Sequence, residues 1–311
     1  MKHLYIIGNG FDLFTGLHTS YSDFKRWIQQ EYIFVYENME AAYNMEGEWW
    51  NNFEINLGEL DIHRYIHNFT PPEKSKEEII KHIEDRNKHL KNTKLPSGLH
   101  PESPCANRLR GLLDILQYCF ERWVENCQSM ITNPIYTHIE KADSYFINFN
   151  YTDTIEWLYK IPDERVLHIH GRASKHDRLI FGHNKCLHGG IYDGVDVNQT
   201  CLELSRYQKN PYEHLSMHKD LPDILSHVEF VHVFGLSLSP VDVDYMDWIE
   251  KNTPRDCNWE FSWFTELDMQ RIKKFVLNHW RIKNRYRSMQ LQPTKGEEKL
   301  DFLHQTHSMQ P

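Results

Sequence analysis

The sequence predicts an α/β protein with a Rossmann-like, open, mainly parallel sheet and a large helical insertion after the first strand. Three observations predict it. Four short β-rich runs, Leu4–Ile7, Tyr145–Phe149, Val166–Ile169 and Val228–Phe234, each end in small or polar residues. The first passes directly into Gly8-Asn9-Gly10, a glycine turn of the kind that joins a strand to a helix at a phosphate site. The segment between the first and second runs is far longer than one crossover helix and is helical in pattern.

The elements follow in order. Residues 31–140 are expected to be the helical insertion, with its clearest helix from Ser103-Pro104 to Ile131, where a serine cap precedes a proline at the first helical position. Leu109, Leu112, Leu116, Phe120 and Trp123 mark its apolar stripe. The charged stretch Pro71–Pro101 is expected to be exposed, as a flap or as plain surface. Trp259–Phe264 forms a fifth strand, and Glu266–Trp280 a following helix. Residues 186–221 lack a sustained period and are expected to be a loop or lid with short helices. Residues 1–282 are thus expected to form a single domain, followed by a polar, poorly ordered tail from 283 to 311.

Bulk composition narrows the function classes. At 311 residues and 40% apolar, the chain can bury a sizeable core. A formal charge of -9 argues against a broad nucleic-acid face, so a small-molecule or protein partner is the expectation. Six cysteines without a CxxC pair are expected to be reduced thiols. No run approaches the roughly 20 apolar residues of a spanning helix, and no targeting segment is visible, so a cytoplasmic protein without membrane contact is expected.

Chemistry concentrates at the strand ends. Gly8-Asn9-Gly10-Phe11-Asp12 is half of a dinucleotide fingerprint: Leu13 stands where the third glycine would be, and no acidic residue closes a second strand, which disfavours a dehydrogenase. It is either a phosphate cradle or a tight turn. Asn148-Phe149-Asn150-Tyr151-Thr152-Asp153 is a polar turn that reaches a ligand or satisfies its own backbone. His168-Ile169-His170-Gly171 puts two imidazoles on one strand face, as metal ligands, as one general base, or as packed histidines. Gly235-Leu236-Ser237-Leu238-Ser239 with Asp242 offers a sugar-binding turn or a helix cap. Glu54, after Trp49-Trp50, is either a pocket acid or a solvated helix residue, and spacing alone favours the solvated one.

Together these blocks resemble the bacteriophage abortive-infection AbiH family. The residues that carry the resemblance are Gly8 to Asp12 with Leu17 to Phe24, Trp50 to Glu54, Phe149 to Thr152 with Glu156, His168 to Gly171, Gly182-His183, and Gly235 to Ser237 with Asp242 to Tyr245. The same order is distantly similar to prokaryotic sirtuin-like domains, whose blocks surround NAD. Phe149, Thr152 and the Gly-Asn-Gly-Phe-Asp block depart from the sirtuin-like pattern, and there is no four-cysteine zinc ribbon. The resemblance implies NAD as substrate or ligand without a metal, hydrolysed at the nicotinamide–ribose bond by Asn150 and His170. It implies that Gly8, Asn9, Gly10, Phe11, Asp12, Tyr151, Asp153, Gly235, Ser237 and Asp242 bind the nucleotide. A phage trigger or partner protein and a homo-oligomer are further expectations. Two alternatives stay open: a metal-dependent nucleotide or nucleic-acid hydrolase using His168, His170 and His183, and a non-enzymatic nucleotide sensor.

Overall fold

The computed structural model describes residues 1–62, 64–65, 104–131, 139, 141–192 and 195–291. Pro71–Pro101, Ser103 and residues 292–311 lie outside them. Eight strands are described: β1 (His3–Ile7), β2 (Ser144–Asn148), β3 (Val166–His168), β4 (Ile191–Tyr192), β5 (Val195–Asp196), β6 (Phe230–Phe234), β7 (Asn258–Trp263) and β8 (Tyr286–Gln290). Six of them form one open sheet in the order β3-β2-β1-β6-β7-β8, with every neighbouring pair parallel. β4 and β5 pair separately as an antiparallel ribbon.

An all-parallel sheet must be covered on both faces, which is why its strands are near-continuous apolar runs. Leu4 and Ile6 pack on one face with Ile147, Val231 and Val233, under helix residues such as Met246, Ile249 and Phe275. Tyr5 and Ile7 pack on the other face with Phe146 and Phe234, under Phe11, Phe14 and Ile155. The period-two alternation of β1 therefore feeds two cores. The helix Glu266–Asn278 begins at a reciprocal capping box between Thr265 and Asp268.

The segment expected to be a polar tail supplies β8. This is a correction. β8 is an edge strand that needs only one partner, pairing Phe261 with Ser288, so its half-exposed side chains carry no apolar run. The run Val166–Ile169 ends one residue early, because the chain turns after His168.

The chain divides into two compact units. One holds residues 1–19, 125–178 and those from 210 onward, including the whole parallel sheet; the other holds 20–124 and 179–209. Between β1 and β2 every described element is helical. In the second unit, Phe24 sits edge-on to Phe53 and Phe120, at 5.7 and 5.3 Å between ring centres, and Phe120 packs 4.4 Å from Phe181. The helix Pro104–Gln128 contributes Leu109, Leu112 and Leu116 to buried positions, as its stripe predicted. Residues 186–221 include the helices Asn198–Ser205 and Pro211–Ser216. All six cysteines are free, four of them buried. No described helix is long and apolar enough to cross a membrane.

Candidate functional site

Parallel strands bring their carboxyl ends to one edge, and the strand order reverses between β1 and β6, the place where open α/β sheets leave a crevice. Three turns leave that edge beside one another. β1 and β2 end in register at Ile7 and Asn148, and β1 and β6 at Ile7 and Phe234.

The glycines of the first and third turns are fitted to each other. A Cβ on Gly8 would lie 2.6 Å from the Leu236 Cα, one on Gly10 2.8 Å from the Gly235 Cα, and one on Gly235 2.2 Å from the Phe11 nitrogen. Gly235 also takes the left-handed conformation, with φ of 69°. Gly8 N–H donates to Phe234 O at 2.9 Å, Gly10 N–H to Gly235 O at 2.7 Å and Phe11 N–H to Gly8 O at 2.9 Å. The glycine requirement is therefore met by backbone packing, and these three amides face carbonyls of the protein. Phe11 itself is a core residue, edge-on to Phe234 at 5.2 Å. Asn9 is exposed, and its carboxamide donates to Thr19 O at 2.9 Å.

Asn150 joins the first and second turns. Its Nδ2 donates to Gly8 O at 3.1 Å, and its backbone N–H donates to Asn148 Oδ1 at 2.9 Å. Asp12 lies buried beside it and accepts from Thr152 Oγ1, which in turn accepts from Thr154 Oγ1 at 3.1 Å. Burial pushes the Asp12 carboxyl up to about 6, against the opposing hydrogen bond of Thr152. Its second oxygen, Oδ1, is buried with no hydrogen-bond partner among the described residues.

The two histidines diverge, a second correction to the sequence reading. β3 stops at His168, so the alternation that would align both rings stops there too. His168 Nδ1 donates to Asn150 O at 3.1 Å, and its Nε2 meets Glu156 Oε1 at 2.7 Å. His170 packs edge-on against Phe149 and Tyr245, at 5.4 and 5.3 Å, with Tyr151 at 6.1 Å. His170 Nδ1 lies 3.2 Å from Phe149 O. A carbonyl only accepts, so Nδ1 carries the proton and Nε2 is the basic nitrogen of the neutral ring.

Asp153 turns inward, where Oδ1 accepts from Arg172 Nε at 2.6 Å. Arg172 also reaches Asp163 at 3.0 Å and Glu156 at 3.7 Å. Asp153, Glu156 and His168 each bring one donor atom within 4.8 Å of the others. The guanidinium already supplies the cation for those carboxylates, and both His168 nitrogens are engaged. His183, the third histidine of the metal reading, lies in the second unit; there its Nε2 donates to Leu204 O at 3.1 Å and its Nδ1 accepts from Lys185 N at 3.2 Å. Glu54 corrects another expectation. It is buried in the second unit, where it pairs with Lys209 Nζ at 2.9 Å and accepts from Gly182 N–H.

At the third turn Ser237 is half-buried, and Ser239 Oγ donates to Asp242 Oδ2 at 2.7 Å. Asp242 occupies the cap position of the helix Val243–Asn252 without a side-chain cap bond. Leu238 takes a φ of 49°, a strained conformation for a branched side chain. The structure thus gathers Gly8–Asp12, Asn150–Asp153, His170 and Gly235–Asp242 at the ends of adjacent strands. Of these, Asn9, Tyr151, Gly235 and Ser237 are the more accessible, while Phe11, Asp12, Asn150, Asp153 and His170 are buried. Sequence reasoning overlooked Arg172 and Thr154, whose partners appear only once the turns fold.

A family model described as bacteriophage abortive infection AbiH matches residues 4–263, which take in every strand of the sheet except β8. No curated protein matches the chain.

Proposed function

The chain belongs to the bacteriophage abortive-infection AbiH family, and from that premise we propose that it acts by hydrolysing NAD at the nicotinamide–ribose bond. The observation that carries this reading is the meeting of Gly8, Asn150 and Gly235 at the reversal of the strand order, with His170 held against Phe149 and Tyr151, the residues on either side of Asn150 in the chain. Numbered within the main sheet alone, the order is third, second, first, fourth, fifth, sixth, that of Rossmann-type nucleotide folds. The order of the sequence blocks, which resembles that of prokaryotic sirtuin-like domains, is the reason for choosing NAD as the nucleotide.

The chemistry suits these groups. The carbon–nitrogen bond to nicotinamide breaks with its electron pair going to the ring nitrogen, which loses its positive charge. The cationic sugar carbon then takes the oxygen of water, and the departing proton passes to His170 Nε2. Asn150, anchored through Nδ2 to Gly8 O, orients the ribose or the water. Tyr151, Ser237 and Asp242 contact the nucleoside part. Asp12 and Asp153 support the turn from behind, since the first is buried against Thr152 and the second is paired with Arg172.

Nicotinamide release from NAD tests this directly. Wild type is expected to release it, and His170→Ala and Asn150→Ala to slow release on the order of 10²-fold or more. Turnover unchanged in both variants would place the chemistry elsewhere.

A further inference from the structure

The first-turn amides that a dinucleotide fingerprint would offer to phosphate are turned inward at Gly8 and Gly10, to Phe234 O and Gly235 O. With those two amides engaged, a side-chain donor at this edge gains weight in holding a phosphorylated ligand. Arg271 stands in the right place. It projects from the helix Glu266–Asn278, is half-buried, and brings Nη1 to 3.5 Å from Ser237 O, at the outer limit of a hydrogen bond.

Arg271 differs from the other arginine of this edge. Arg172 is neutralised by Asp153 and Asp163, whereas among the described residues no carboxylate pairs with Arg271. Asp268, one turn earlier on the same helix, turns Oδ2 to the capping box, accepting from Thr265 N–H at 2.8 Å and from Thr265 Oγ1 at 2.9 Å, and forms no ion pair with Arg271. A half-buried guanidinium has lost part of its hydration, and one distant carbonyl replaces little of it. Arginine in this state recognises phosphate with two parallel N–H donors.

We propose that Arg271 is the phosphate-binding residue of the site at the third turn, so that the ligand class is a phosphorylated nucleotide and not a free nucleoside. The proposal rests on the nucleotide reading above. It adds a residue beyond the stretch that the family model matches.

Calorimetric titration of the full chain with three probes tests it: NAD, inorganic pyrophosphate, and nicotinamide riboside, which lacks phosphate. Arg271→Ala and Arg271→Gln are expected to bind NAD and pyrophosphate roughly tenfold or more weakly than wild type, with Arg271→Lys between them and riboside binding the same in all four proteins. The salt dependence of NAD binding should also flatten in the alanine variant. Equal NAD affinity in wild type and Arg271→Ala overturns the role of Arg271 and leaves the nucleotide reading standing. An equal loss for riboside also overturns it, because the residue would then act through the fold. Arg271-dependent pyrophosphate binding without NAD binding keeps the anion site and removes NAD as its ligand. No binding of either phosphorylated probe by wild type overturns both.

Discussion

At the scale of single residues, the buried carboxyl of Asp12 makes a signed prediction. Its folded value, about 6, stands above the 3.8 of an ordinary aspartate, so its contribution to stability is complete below that lower value and is lost as pH rises through about 6. The difference corresponds to about 3 kcal/mol. Urea denaturation of wild type and Asp12→Asn at pH 4.5 and pH 8 should therefore show the variant gaining on wild type by about 2 kcal/mol at the higher pH, the remainder being lost already by pH 4.5. A stability gap that does not change with pH would mean that Asp12 ionises without penalty. Arg172 makes the opposite kind of prediction. Asp153 and Glu156 are buried around it, and removing the guanidinium leaves Asp153 without its cation. Arg172→Ala should cost about 3–5 kcal/mol of unfolding free energy. A loss below about 1 kcal/mol, the range of exposed ion pairs, would contradict the buried network.

At the scale of elements, the contact between the first and third turns governs the sheet edge. Gly235→Ala meets the Phe11 nitrogen and must also hold a left-handed φ, so a loss of more than about 3 kcal/mol is expected. Gly16 shares the positive φ, at 89°, but has open space around its Cβ position. Gly16→Ala should cost only about 1 kcal/mol, and thermal melts of the two variants separate packing from backbone strain. Similar losses in both would show that the turn-to-turn contact contributes little. The helix Glu266–Asn278 matters for the same edge, since its capping box starts the helix that carries Arg271. Thr265→Ala should lower stability by about 1 kcal/mol.

Elements were legible in proportion to how local their signals were. β1, β2, β6 and β7 announce themselves as apolar runs because both faces of a parallel sheet are buried. β8 was hidden, as an edge strand of sequence Tyr-Arg-Ser-Met-Gln with one partner strand. Residue environments were legible only in part. Glu54 reads as a surface acid until Lys209 and the Gly182 amide, remote in sequence, are folded against it. The two histidines of the third block looked aligned because nothing local marks the turn that ends β3 after His168. The glycines of the first turn signalled close approach correctly, but the partner that approaches is the backbone of Gly235 and Leu236.

At the scale of the whole molecule, one parallel sheet organises the site by collecting sequence blocks from positions 8 to 242 at a single edge. The strand order alone decides this, because the reversal between β1 and β6 sets the first and third turns side by side and lets the helices cover the two faces. Hydrogen–deuterium exchange with and without saturating NAD tests that central claim most directly, since it reads every segment at once. Slowed exchange is expected only in the three turns, at residues 8–12, 149–153 and 235–239, with the β4–β5 ribbon unchanged. Exchange unaltered at those turns, or slowed chiefly within 20–62 and 179–209, would contradict it.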